Sequence, residues 1–100
     1  MAYSFELRDK ALEELTDAVV WYEEQQEGLG KSLRLTVQNK LKKICNNPFH
    51  YKVSHKIYRE ALTDKFPFLI IYILDEKIKL ITVIAIFHTS RSPKKKFRKR

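Results

Sequence analysis

Two apolar runs, residues 66–74 and 78–87, flank one polar break, Asp75-Glu76-Lys77, and limit the fold more than any other stretch. Ile, Val, Tyr and Phe dominate both runs, and glycine is absent from them. Such side chains suit a pleated surface, so the sequence predicts a β-hairpin. A single membrane-spanning helix is the rival use of so much apolar sequence. The charges in the middle exclude it, because no uncharged stretch reaches the roughly 18 residues that a span needs. Alternation assigns Phe68, Ile70, Tyr72 and Leu74 to one face and Leu69, Ile71 and Ile73 to the other. In the second run Leu80, Thr82, Ile84, Ile86 and His88 oppose Ile81, Val83, Ala85 and Phe87. Neither face is polar, so both require cover.

The remainder of the chain supplies that cover. Residues 3–7 alternate Tyr3, Phe5 and Leu7 with Ser4 and Glu6, as a half-buried strand does. Asp9 is expected to cap a helix over residues 10–26, with Leu12, Leu15, Val19 and Tyr22 as its apolar stripe. Ala11, Ala18 and Trp21 widen the stripe. Glu13, Glu14, Asp17, Glu23 and Glu24 lie mostly outside it, as an amphipathic helix requires. Gly28 offers a left-handed C-cap. A second helix is expected over residues 30–46, carrying Leu33, Val37, Leu41 and Ile44 on one side, and Asn46-Asn47-Pro48 stops it. Lys40, Lys42 and Lys43 crowd its last turns, where positive charge suits the helix dipole. A connection this short around Gly28-Leu29-Gly30 folds the helices into an antiparallel hairpin. It is no phosphate loop, since it follows a helix and lacks the Gly-Lys-Ser/Thr ending. Residues 49–56 read as a polar-aromatic link, 57–62 as a third strand, and Thr63-Asp64-Lys65 as the turn into the apolar hairpin.

The expected class is α+β, in the order β-α-α-β-β-β. A mostly antiparallel four-stranded sheet would carry the helical hairpin on one face. Leu15, Val19, Val37, Leu41, Ile71 and Val83 are expected in the core. One hundred residues leave room for one core, placed in residues 1–92, with 93–100 as a basic, mobile tail.

The net charge of +8 is unevenly spread. Residues 91–100 hold seven of the twenty Lys and Arg and no acid. The first 27 residues hold eight acids against two bases, and residues 28–59 hold eight bases and no acid. This pattern points to a polyanionic partner, a nucleic acid or an acidic protein. Cys45 is the only cysteine, which excludes a disulfide framework and a thiolate cluster and makes a reducing cytoplasm the expected location. No secretion signal is visible at the N-terminus. His50 and His55 stand in the link without a nearby cysteine or carboxylate, so neither a metal nor any other cofactor is expected.

Five stretches, FELRDKALEEL, AVVWYEEQQEGLG, LKKICNNP, YREALTDKFPFLIIYIL and IAIFHTSRSP, in this order, resemble toxins of the RelE/ParE superfamily, the toxin halves of bacterial type II toxin–antitoxin pairs. The resemblance runs along nearly the whole chain. It implies a protein that arrests growth when free and forms a hetero-oligomer with a cognate antitoxin, which lays a C-terminal segment along it.

The superfamily divides by target. RelE-like members cut messenger RNA on the ribosome without a metal, whereas ParE-like members poison DNA gyrase and need no nuclease site. Metal-free cleavage needs a group that takes the 2′-hydroxyl proton, cations for the phosphate, and an acid for the leaving oxygen. RelE-like enzymes draw these from Lys, Arg and a Tyr or His near the chain end. By this resemblance His88 and Arg91 are the catalytic candidates if the chain is an endoribonuclease. Arg59, Lys65, Arg91, Lys94, Lys95 and Lys96 are candidates for binding a partner or a phosphate. Phe68 stands where such enzymes tend to place an arginine, and Lys94-Lys95-Lys96-Phe97 offers no terminal tyrosine. These departures favour the gyrase reading over the ribonuclease. A non-toxic nucleic-acid or partner-binding module is the third reading, on charge alone.

Overall fold

A computed structural model describes residues 3–90. The apolar runs form β4 (Phe68–Asp75) and β5 (Leu80–His88), an antiparallel pair at the centre of a five-stranded sheet. On one side of the pair lies β1 (Ser4–Leu7), which runs parallel to β5 with Ser4 opposite Leu80. On the other side follow β3 (Tyr58–Leu62) and then β2 (Val53–His55). The sheet order is β1-β5-β4-β3-β2. The α+β class and the N-terminal edge strand match the sequence reading; the strand count is one higher. Strand β2 is only three residues long and exposed throughout, too short for an alternating pattern to register. Lys56 makes its turn into β3 possible by adopting φ 53°, a left-handed conformation uncommon for a side-chain-bearing residue. Ile57 belongs to that turn rather than to a strand, and it is exposed.

The break between the runs sits later than expected. Asp75 ends β4 and accepts from the backbone N–H groups of Lys77 and Ile78, at 3.0 and 3.4 Å. Residues 76–79 form the connection, closed by Lys79 at φ 54°. Further along, β5 departs from strict alternation. Ile71 pairs with Ala85 but Tyr72 pairs with Val83, which leaves Ile84 as the extra residue of a bulge. Beyond it Ile86 joins Ile81 and Val83 in the main core, instead of Ala85 and Phe87.

That core lies between the sheet and the helices α1 (Asp9–Gln25) and α2 (Leu29–Asn46). Leu33, Val37, Leu41 and Ile44 of α2 are buried with Phe68, Ile70, Tyr72, Ile81 and Val83, and Leu15 and Val19 of α1 pack against them. Ile71 is as buried as expected, but with Ala85 and Phe87 in a second, smaller cluster on the other face. From α1 Ala11, Leu15, Ala18, Val19 and Tyr22 turn inward, whereas Leu12 and Trp21 stay 52% and 55% exposed. The cap assignments also shift. Asp9 is the first residue of α1, and the cap position before it is Arg8, which makes no side-chain capping bond. In the first turn the Asp9 charge still suits the helix dipole.

Two glycines let the helices close on each other. Gly28, at φ 92°, precedes the first residue of α2 rather than capping the end of α1. Gly30 lies so close to α1 that a Cβ there would meet the Val19 carbonyl oxygen at 2.5 Å. Glu23 ties the turn, its carboxylate accepting from the Gly28 and Gly30 N–H groups at 2.9 Å each. These donors hold the Glu23 carboxyl below its usual range.

Candidate functional site

His88 is the residue around which the sequence gathers its chemistry, and three local features place it. The Ile84 bulge puts His88 on the helix side of the sheet, opposite Phe68, with the two rings edge to face at 5.1 Å. Thr89 then turns the chain by donating its N–H to the Pro67 carbonyl at 2.8 Å. Ser90 folds back, its N–H donating to His88 Nδ1 at 3.2 Å while its Oγ lies 2.7 Å from the same nitrogen. An Nδ1 that accepts leaves Nε2 to carry the proton of the neutral ring.

Beside this ring is a cleft of about 490 Å³ between α1 and the end of β5, lined by Glu14, Asp17, Trp21, Tyr22, Phe68 and His88 among others. Its aromatic wall is continuous: Trp21 stands edge-on to Tyr22 at 5.0 Å, and Tyr22 to Phe68 at 6.2 Å. Glu14 joins the helix to the strand. Where β1 has ended, its Oε1 accepts the Ile86 N–H at 2.8 Å, and its Oε2 pairs with Lys10 Nζ at 2.6 Å. Asp17 has no such partner among the described residues. Among the described residues the cleft walls carry two carboxylates and no lysine or arginine.

Arg59 lies elsewhere. It pairs with Tyr72, four residues along β4 from the Phe68 that faces His88. Its Nη1 donates to the Tyr51 carbonyl at 2.6 Å, and its guanidinium covers the half-exposed ring of Phe49 at 5.3 Å. Below it the Tyr72 hydroxyl donates to the Pro48 carbonyl at 2.7 Å, and burial pushes the Tyr72 phenol up to about 12. Lys65 sits exposed in the turn before β4, at φ 69°. The neighbouring Asp64 lies 3.9 Å from both Lys40 Nζ and Lys43 Nζ at the end of α2. The outer side of α2 keeps Lys31, Arg34 and Lys42 in solvent.

Of the residues proposed from sequence, the described structure therefore separates His88 from Arg59. Arg91, Lys94, Lys95 and Lys96 lie outside the described residues, as does the proposed tail. Glu14, Asp17 and Trp21 were not foreseen as one site. Their spacing held the signal, because positions 14, 17, 18 and 21 share one helix stripe beside the core stripe.

Comparison with known proteins places this geometry. The family model described as "ParE toxin of type II toxin-antitoxin system, parDE" matches residues 5–93. Comparison with curated proteins gives no sequence match. Among solved structures, one from the chromosomal ParDE system of P. aeruginosa superposes with a TM-score of 0.75 at 14% identity, covering 89% of this chain and 98% of that one. The isolated E. coli RelE toxin gives 0.67 at 17% identity, covering 95% and 93%. The RelBE2 toxin–antitoxin complex of Mycobacterium tuberculosis gives 0.64 at 11% identity, covering 88% and 99%. At these identities the structures establish a shared fold and nothing finer.

Proposed function

The chain belongs to the family of ParE toxins of type II toxin–antitoxin systems, and from that premise we propose that it inhibits growth by binding DNA gyrase rather than by cutting RNA. A cognate antitoxin neutralises it, in the cytoplasm. The observation that carries this reading is the setting of His88. A general base must offer a free lone pair to the 2′-hydroxyl proton, yet Nδ1 already accepts from the Ser90 N–H. The adjoining carboxylates of Glu14 and Asp17 would repel a phosphate rather than hold it. Arg59, held beside Tyr51 and Phe49 and four residues along β4 from the position facing His88, brings no cation to that imidazole. A binding toxin needs none of these groups in register; it needs accessible surface. The Arg59–Phe49 pair and Lys65 provide basic and apolar surface of the kind an acidic antitoxin segment would engage, with Arg91 as a further proposed contact. In the relatives named above, the ParDE system and the RelBE2 complex are toxin–antitoxin assemblies.

The test pairs two measurements on the wild-type protein, primer extension on messenger RNA after induction and a supercoiling assay with purified gyrase. Blocked supercoiling with intact message is expected. Cuts at codon positions that disappear in His88→Ala would instead make the protein a RelE-like ribonuclease, the loss being about 10²–10⁴-fold for a positioned acid or base.

A further inference from the structure

The cleft beside His88 is an electrostatic exception in a chain of net charge +8. Its walls combine aromatic rings with the carboxylates of Glu14 and Asp17. Glu14 is spoken for by the Ile86 N–H and Lys10, but Asp17 faces the same space without an ion pair among the described residues. Trp21, at the end of the aromatic row, is 55% exposed. A carboxylate next to a half-exposed indole suits an amphipathic cation. An alkyl stem packs on the rings, and a charged head reaches the carboxylate while lying over the indole. A phosphate or an acidic side chain is excluded by the same charges.

We propose that this cleft receives one arginine side chain from the antitoxin segment, so that a partner that is acidic elsewhere is set in register by a single base. This rests on the toxin–antitoxin reading above. The argument for the occupant is charge complementarity. The basic surface around Arg59, Lys65 and α2 selects an acidic segment, whereas the α1–β5 cleft, where carboxylates stand beside aromatic rings, selects the opposite sign. An arginine fits the cleft better than a lysine because its planar head can stack on Trp21 and still bond Asp17.

Trp21 is the only tryptophan, so its fluorescence reports the cleft directly. The probe is a short acetylated and amidated peptide with one arginine between leucine and serine residues, titrated into the full chain. The control is the same peptide with citrulline, which keeps the shape and removes the charge. Saturable change in Trp21 emission with the arginine peptide alone is expected. Asp17→Asn should weaken it about fivefold, the upper end for an exposed ion pair, the Trp21 ring being unchanged. Equal binding of the citrulline peptide, or no effect of Asp17→Asn in a variant that melts like wild type, would overturn the proposal.

The purified antitoxin encoded beside the toxin gene supplies the second arm. It should displace the peptide and lose about fivefold in affinity for Asp17→Asn. Antitoxin that binds without displacing the peptide refutes it as the occupant. If the peptide binds only after residues 91–100 are removed, the chain's own basic segment is the occupant and the proposal fails. Peptide binding with no antitoxin binding at all would instead refute the toxin–antitoxin reading, leaving the cation site in place.

Discussion

At Gly30 one missing methyl group decides how close the helices come. Gly30→Ala would push a Cβ against the Val19 carbonyl, which is backbone and cannot swing aside. A loss of about 1–3 kcal/mol is expected in a denaturant titration, as for other overpacked sites. Glu14 has a comparable structural role from a different cause. In Glu14→Ala the Ile86 N–H loses its acceptor, a deficit of about 1–3 kcal/mol, and an unchanged melting temperature would show that water replaces the carboxylate. Tyr72 adds a pH dependence. Its folded phenol titrates at about 12 against an ordinary 10, so the unfolded chain loses that proton first. The stabilisation is complete below pH 10 and disappears as pH rises towards 12, on the order of 2 kcal/mol. Tyr72→Phe should therefore show a shallower alkaline loss of stability between those values. A slope equal to wild type would place the cause elsewhere.

Elements differ in how openly the sequence announces them. Helices α1 and α2 follow directly from apolar spacing, and β4 with β5 from two unbroken runs of strand formers. The same runs conceal the bulge. Apolar residues occupy both faces of residues 80–87, so nothing in a period of two marks Ile84 as extra, and the facing of Ile86 and His88 is set by pairing with β4. Deleting Ile84 should consequently leave every other residue of β5 on its present face, with Tyr72 against Val83 and Ile71 against Ala85. Cooperative unfolding is expected for that deletion and not for deletion of Ile81, which reverses the strand against β1. Circular dichroism melts of the two proteins decide it. The cleft was less legible than the fold because charged helix positions read as solvated by default. Glu14 and Asp17 acquire a role only when the end of β5 is brought beside them.

Across the whole molecule, charge is sorted by element. Helix α1 exposes Glu13, Asp17 and Glu24, whereas α2 exposes Lys31, Arg34, Lys42 and Lys43. The sequence displays this sorting without ambiguity; what it withholds is that Asp64 lies between Lys40 and Lys43, moderating the basic end of α2. The parallel pairing of Ser4 with Leu80 across the sheet has a temporal side. A ribosome makes β1 first and β5 last of the five strands. Until β5 emerges, β1 has no neighbour, Glu14 has no Ile86 N–H to accept, and the wall that carries His88 is missing. Contacts between such distant residues form late. The five-stranded sheet therefore cannot close, nor the cleft beside His88 take shape, until its last strand has left the ribosome.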